Sequence, residues 1–396
     1  MTLGTTARQP RPLGVAVVGF GWMGQVHSRA WTRLAQHYPH LPVRPRLVAA
    51  ADTEAARREV AEEVFGFEVT TGSWQEVLER GDVDVVSVCG PNFVHREIGE
   101  AVARSGRHLW VEKPAGRSVD DTRAIAAAVH EAGVMSAVGF NYRNAPAVQV
   151  ARRLVTEGAV GTVESIDVRM LADYSAHPDQ ALSWRFDPAY AGTGVLGDLA
   201  SHGFDLALHV GGAALGPVVE LVADQATYIS ERPLPGEGTM SHFARGGDGP
   251  RGAVGNEDAA SALLRFASGA RGTLTSSRVA VGEQCTYGFE LRGTTGAIAW
   301  DFRRMGELRL CIGRDYQDAD WETRLVRPGD GDLAAFQPGS GIAMSYDDLK
   351  VVECRALAES IHSGHPQGAT IDDALVAAEL VDAMVTSHTE RRWVAV

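Results

Sequence analysis

The stretch Gly14-Val15-Ala16-Val17-Val18-Gly19-Phe20-Gly21-Trp22-Met23-Gly24 sets the architecture of the first part of the chain. Its apolar run shows no polar side and predicts a strand covered on both faces. Three glycines follow at once, at Gly19, Gly21 and Gly24, and a helical pattern runs on to about His37. Strand, glycine turn and helix in this order are the setting in which GxGxxG holds a dinucleotide. The first glycine makes the turn, the second lets a pyrophosphate approach the backbone, and the third brings helix and strand together. Gly19, Phe20, Gly21, Trp22, Met23 and Gly24 are therefore the expected cradle.

Strand and helix keep alternating beyond it. Predicted strands at Leu47–Ala51, near Glu68, Asp84–Cys89, His108–Val111 and Val134–Phe140 are separated by predicted helices Glu54–Val64, Trp74–Glu79, Asn92–Arg104 and Val119–Glu131. That period belongs to βαβ units, hence to a doubly wound parallel sheet. Asp52 ends the second strand, where an acid accepts hydrogen bonds from the adenosine ribose and favours NAD over NADP. Arg57 and Arg58 lie close enough to meet a 2′-phosphate. Gly90-Pro91-Asn92, with Asn92 as helix cap and His95 in the first turn, forms a loop expected over the nicotinamide end of the cleft. Trp110-Val111-Glu112-Lys113-Pro114 is a buried strand closing in an acid, a base and a proline that cannot continue the ladder. At the carboxyl end of such a strand Lys113 is a chemical candidate, with Glu112 as its support.

Near Asn141 the texture changes, which divides the chain into residues 1–141 and 142–396. The second part begins with a predicted helix, Pro146–Glu157, and a strand, Val163–Leu171. Strands near Val218–Tyr228, Ser261–Phe266, Arg271–Val281, Tyr287–Arg292 and Ala297–Phe302 suit an antiparallel sheet with one covered face. Helices Tyr346–His362 and Ile371–Thr386 close the chain, the second packing back on the first domain. Residues 232–256 and 329–341 read as loops.

A length of 396 residues accommodates two domains. The net charge of −13 argues against a nucleic-acid partner, because such affinity rests on Lys and Arg neutralising phosphates. Cys89, Cys285, Cys311 and Cys354 are too scattered for a disulfide framework or a zinc site, so no metal is expected and a reducing cytoplasm is the simpler setting. No apolar run reaches membrane-spanning length, and Val15–Val18 is too short for a signal-peptide core.

The other informative stretch is Gly192-Thr193-Gly194-Val195-Leu196-Gly197-Asp198-Leu199-Ala200-Ser201-His202. Asp198 and His202 are four apart, a spacing that puts both on one helix face. Oxidising a secondary alcohol needs a base for the hydroxyl proton, and a histidine suits that role with an acid to orient it or bind a second hydroxyl.

Together these residues resemble the Gfo/Idh/MocA oxidoreductase family, named for glucose-fructose oxidoreductase and inositol dehydrogenase. The likeness rests on Gly19 to Gly24, Glu112-Lys113-Pro114, and Gly197-Asp198 with His202. It implies an α/β chain: an N-terminal Rossmann doubly wound parallel sheet plus a C-terminal α+β domain with a large, mostly antiparallel open sheet. The open face commonly makes a homodimer or homotetramer. The resemblance also implies NAD as cofactor, a small sugar or polyol as substrate, Lys113 as active-site lysine, Asp198 as the acid on substrate and His202 as general base. A cis Lys113–Pro114 bond is a further family trait. Phe140-Asn141-Tyr142-Arg143, Leu182-Ser183-Trp184-Arg185-Phe186, Glu231-Arg232-Pro233 and Gly246-Gly247-Asp248-Gly249-Pro250 resemble a subgroup that oxidises the C3 hydroxyl of an anhydrosugar with NAD. This adds Tyr142, Arg143, Asp173, Tyr174, Trp184 and Arg185 as expected substrate-side residues. Other readings are an inositol or cyclitol dehydrogenase, a redox-neutral enzyme that retains and recycles NAD, and a non-enzymatic NAD-binding regulator.

Overall fold

Each apolar run of the first 140 residues becomes a strand of one parallel sheet. The computed structural model describes residues 10–235, 246, 249–314 and 316–396. The first layer is β1 (Arg11–Val18), α1 (Trp22–His37), β2 (Val43–Ala51), α2 (Ala55–Glu63), β3 (Val69–Thr71), α3 (Trp74–Leu78), β4 (Val85–Val88), α4 (Asn92–Arg104), β5 (His108–Val111), α5 (Val119–Ala132) and β6 (Ser136–Val138). Its strands are ordered β3-β2-β1-β4-β5-β6 and all pairs are parallel. The order reverses between β1 and β4, the switch point where ligands of such sheets bind outside the carboxyl ends. The second strand starts at Val43, earlier than its apolar pattern, and contains Pro45. That proline is tolerated because β3 pairs only with Ala49–Ala51, leaving β2 an edge there.

The remaining elements are α6 (Pro146–Thr156), β7 (Val163–Leu171), α7 (Pro188–Ala191), α8 (Ser201–Leu215), β8 (Val218–Ala226), β9 (Glu231–Pro233), β10 (Arg251–Ala253), β11 (Ala259–Phe266), β12 (Arg271–Ser277), β13 (Thr286–Gly293), β14 (Gly296–Asp301), β15 (Glu307–Ile312), β16 (Glu322–Leu325), α9 (Leu333–Phe336), α10 (Tyr346–Ser363), α11 (Ile371–Glu390) and β17 (Val394–Ala395). Nine of the strands make a mixed sheet in the order β16-β15-β14-β13-β7-β12-β11-β8-β17. Only β7 and β12 run parallel; every other neighbouring pair is antiparallel. Alternation along β7 buries Ile166, Val168 and Met170 with Phe204 of α8 and Leu291 of β13, as period two requires. The opposite face stays open: Leu263 is exposed there, among ion pairs such as Arg292–Asp167.

The segment expected as a loop at 232–256 carries strand residues at its two ends, where β9 and β10 pair. Residues 236–245 and 247–248 of that segment lie outside the described residues. The 329–341 segment contains the short α9.

The last two helices do not stay with the second sheet. Val351, Cys354, Leu357 and Ala358 of α10 share a core with Leu13, Val15, Trp31 and Trp110. Ile371, Ala374 and Ala377 of α11 join the core around Ile125 and Val138, while Leu380 and Met384 of the same helix join the core of the second sheet. Both helices start in capping boxes, Ser345 with Asp348 and Thr370 with Asp373, which satisfy backbone donors where the chain enters them.

Candidate active site

The glycine turn meets the physical demands of a nucleotide cradle one residue at a time. Gly19 has φ +86°, and a Cβ on it would lie 2.6 Å from the backbone nitrogen of Gly90. A Cβ on Gly24 would fall 2.2 Å from the Gly19 carbonyl oxygen. Around Gly21 nothing lies within 4 Å, so open space stands over the N-terminus of α1, whose first turn has no side-chain cap. Uncapped amides at a helix start are a ready anion site. Asp52 accepts the Phe20 N–H at 2.7 Å and the Glu54 N–H at 2.9 Å, at the carboxyl end of β2. These residues fit a dinucleotide with its phosphates on the turn and a ribose near Asp52. Arg57 is turned onto Asp52 at 3.4 Å, and Arg58 donates to the Asp52 carbonyl at 2.8 Å, so both guanidiniums are engaged locally.

The other residues expected on the cofactor side have partners within the chain. The Phe20 side chain is fully buried, edge-on to Phe65 and Phe67, and only its backbone faces the turn. Trp22 is exposed and stacks on Tyr346 at 5.4 Å; the Tyr346 hydroxyl approaches Met23 Sδ at 3.8 Å. Pro91, not Asn92, takes the cap position of α4, and the Asn92 amide donates instead to the Ala191 carbonyl at 3.0 Å. His95 is buried with both ring nitrogens facing carbonyls, of Pro114 at 2.8 Å and Gly90 at 2.7 Å. It ties two loops together and has no nitrogen left for a nucleotide.

Lys113 is set by β5, whose Leu109, Trp110 and Val111 are wholly buried, and by the cis Lys113–Pro114 bond behind it. Its Nζ donates to Asp198 Oδ1 at 2.7 Å and to the Asp198 carbonyl at 2.8 Å. The lysine therefore joins the carboxyl edge of the first sheet to the second domain. Tyr174 donates its hydroxyl to the other Asp198 oxygen. Burial pushes the Asp198 carboxyl up, but Lys113, Tyr174 and Arg185 outweigh it and hold it well below the usual carboxylate range. Asp198 lies in a π-turn over Leu196–Ala200, directly before α8, rather than in a plain α-helix. Such turns widen the helix and recur at functional sites. Thr193 supports this turn by accepting the Gly197 N–H at 2.9 Å, and Glu257 receives the N–H groups of Gly194 and Leu196 at 2.7 and 2.9 Å.

His202 follows on α8, buried, with its ring 4.7 Å from Tyr142 and 5.6 Å from Phe140. Burial, aided by Lys113, lowers its pKa well below the ordinary value and leaves a neutral imidazole. Tyr142 is the centre of an aromatic wall that includes Phe302 at 4.9 Å, Tyr287 at 5.4 Å and Tyr346 at 6.4 Å. Half-buried Trp184 carries the Arg185 guanidinium over its ring at 4.4 Å and meets Phe93 of α4 at 6.3 Å. Asp173 is half-buried beside Tyr174 and its carbonyl receives the Ala176 N–H at 2.9 Å. Arg143 is a correction: its guanidinium is bound to buried Asp205 and to Asp373 at 3.3 Å. It lines a separate cavity with Arg152 and His209, and that cavity includes neither Lys113 nor Asp198.

Glu112 supports Lys113 through the backbone, its Oε2 accepting the Lys113 N–H at 3.3 Å. Its carboxylate is buried and held by Lys350 Nζ at 2.5 Å and His27 Nε2 at 2.9 Å. Burial raises its pKa, and Lys350 with His27 brings it below the normal range. Among the described residues, His27, Glu112 and Glu353 bring possible metal ligands within 4.8 Å of one another. The Lys350 ammonium, 3.2 Å from Glu353 Oε1, already occupies that position as a cation. Sequence reasoning missed Lys350, His27 and Tyr346, none of which stands in a motif.

A sheet with a nucleotide cradle at its switch point, facing a lysine, a carboxylate and a neutral histidine, defines a nicotinamide-dependent oxidoreductase. The chain belongs to the GFO/IDH/MocA oxidoreductase family. The family's NAD-binding Rossmann-fold description matches residues 13–140, and its C-terminal domain matches 148–299. Levoglucosan dehydrogenase of Pseudarthrobacter phenanthrenivorans is 34% identical over 393 residues, covering 97% of this chain and 98% of its own. Inositol 2-dehydrogenase of Rhizobium meliloti is 27% identical over 384 residues, covering 96% and 98%. A levoglucosan dehydrogenase structure in complex with NADH and levoglucosan superposes with a TM-score of 0.89 at 31% identity, covering 98% of this chain and all of that one. The first domain is thus NAD-binding, and no described helix is long and apolar enough to cross a membrane.

Proposed function

We propose that this chain oxidises a ring secondary hydroxyl of a sugar, an anhydrosugar such as levoglucosan, or a glycoside, with C3 as the position attacked. One observation carries the proposal: Lys113 Nζ bridges to Asp198 Oδ1 at 2.7 Å, beside a buried neutral His202. NAD, when bound, supplies the hydride acceptor. His202 accepts the hydroxyl proton on a ring nitrogen, which burial keeps free of a proton beforehand. Lys113 Nζ donates to the reacting oxygen and stabilises alkoxide character as the proton leaves. Asp198 orients Lys113 and accepts from a neighbouring hydroxyl, with Tyr174 holding its second oxygen. Tyr142 and Trp184 offer rings to the apolar faces of a sugar, whose hydroxyls meet the polar groups between them.

Residues 1–141 then serve the nucleotide, and 142–396 present the substrate and an oligomer interface on the open face of the nine-stranded sheet. Light scattering should give a dimer or tetramer; a monomer would remove that part. Four free cysteines suit a reducing cytoplasm.

A steady-state assay over sugars, anhydrosugars and inositols, following NADH absorbance, tests the reading. Turnover of a ring alcohol supports it, and no turnover of any would sink it. The Rhizobium relative favours inositols as the second substrate class to include. Denaturing purified protein and measuring released nucleotide separates an exchanging dehydrogenase from one that recycles retained NAD.

A further inference from the structure

Lysine is almost absent from this chain. Of 37 basic residues only Lys113 and Lys350 are lysine, and the other 35 are arginine. Neither lysine serves the surface: the Lys350 side chain is 0% exposed and that of Lys113 15%. Both are neighbours of one carboxylate. Glu112 Oε1 receives Lys350 Nζ at 2.5 Å, while its Oε2 receives the backbone N–H of Lys113 at 3.3 Å. Lys350 also reaches Glu353 Oε1 at 3.2 Å, which accepts the Trp110 indole N–H as well. Glu112 has no room to swing, because a Cβ on Gly139 would already lie 2.5 Å from its Oε1. The compact Lys350 ammonium serves both carboxylates, Glu112 and Glu353, from a fully buried position.

The electrostatics give this arrangement a consequence. Buried charges interact strongly, so a Glu112 carboxylate left with only the His27 imidazole at 2.9 Å would compete with Asp198 for the ammonium of the very next residue. With Lys350 in place, Glu112 is neutralised from behind, and Lys113 points across the cleft to Asp198. We propose that Lys350 is a positioning residue: by saturating Glu112 it leaves the Lys113 ammonium to Asp198 and to the reacting oxygen. The inference rests on the reading of Lys113 as the active-site lysine.

The scarcity of lysine supplies the test. Protein labelled with 13C at lysine Cε gives two ammonium-bearing signals, and in Lys350→Met the one that persists is that of Lys113. That signal is expected to leave its wild-type position in Lys350→Met and to return to it in Glu112→Gln/Lys350→Met, where both charges are gone. On the substrate identified by the assay, kcat should fall about 10–100-fold in Lys350→Met and recover to within about 5-fold in the double variant, with KM for NAD changed less than about 2-fold throughout. A folded Lys350→Met protein whose Lys113 signal has not moved overturns the proposal, since a purely structural lysine would alter melting alone. If Lys350→Met does not accumulate as folded protein, Glu112→Gln is compared with the double variant. A Lys113 signal common to both supports the proposal, and a displaced one overturns it. The signals require no substrate, so a wild-type protein that oxidises no ring alcohol refutes the functional reading without touching this result.

Discussion

Lys113 carries its charge where the edge of the first sheet meets the second domain, so removing its ammonium tests the site directly. Lys113→Met should lower kcat about 10³-fold while the Kd for NADH stays within about 3-fold, because the group is asked to act on the reacting oxygen and not on the nucleotide. His202→Ala should cost about 10²–10⁴-fold in kcat, the range of a lost general base. Stopped-flow turnover and fluorescence titration with NADH check both; full activity in either variant would remove its assigned role. The glycines, Lys113, Asp198 and His202 were legible because each belongs to a spacing tied to a backbone requirement. Arg143 was misplaced, and the ion pair of Glu112 was missed, for one reason. A motif gives a residue's address in the chain but not the partner that captures its charge, here Asp205 and Lys350.

At the scale of the element, the turn before α1 separates two kinds of glycine. Gly21→Ala places a methyl group in open space, so its melting temperature should match the wild type, yet NAD affinity should drop at least about 10-fold as the approach of the pyrophosphate is blocked. Gly24→Ala forces a carbon onto the Gly19 carbonyl and should lower both melting temperature and NAD binding. Calorimetry with and without NAD distinguishes them, and equal behaviour of the two would refute the assigned glycine roles. The turn was readable because strand, glycines and helix are contiguous. The π-turn at Leu196–Ala200 was not, since a helix one residue wider leaves no mark in a four-residue spacing. Nor was the placement of α10, whose Val351, Cys354 and Leu357 advertise a buried face without saying which sheet will cover it.

For the whole molecule, buried histidines set the response to acid. Burial lowers the pKa of His27 to about 4, and lowers those of His95, His108, His202 and His209 as well. The unfolded chain takes up protons at these side chains below about pH 6.5 while the folded one does not, so stability is present above that pH and is lost as pH falls. Glu353, raised to about 7 by burial, Asp205, raised to about 6 by burial, and Glu257, raised by burial, bind protons better when folded and offset part of the loss. Five histidines against three carboxyls leave the sign with the histidines. The melting temperature should fall between pH 7 and pH 5, by roughly 1.4 kcal/mol of stability for each such histidine over each pH unit it stays uncharged, before the offset. A melting temperature that rises toward pH 5 would contradict this.

The sharing of α10 between distant parts of the chain also bears on how the protein is made. Strand β6 ends at Val138, but the helix that covers Leu13, Trp31 and Trp110 begins at Tyr346, roughly 200 residues later. At about 5–20 residues per second of synthesis, the nascent nucleotide domain waits on the order of 10–40 s with that face bare to water or to a chaperone. Glu112 waits with it, with His27 but without its ammonium partner, until Lys350 emerges from the ribosome. The surroundings of Lys113, the residue next to that carboxylate, are complete only near the end of translation.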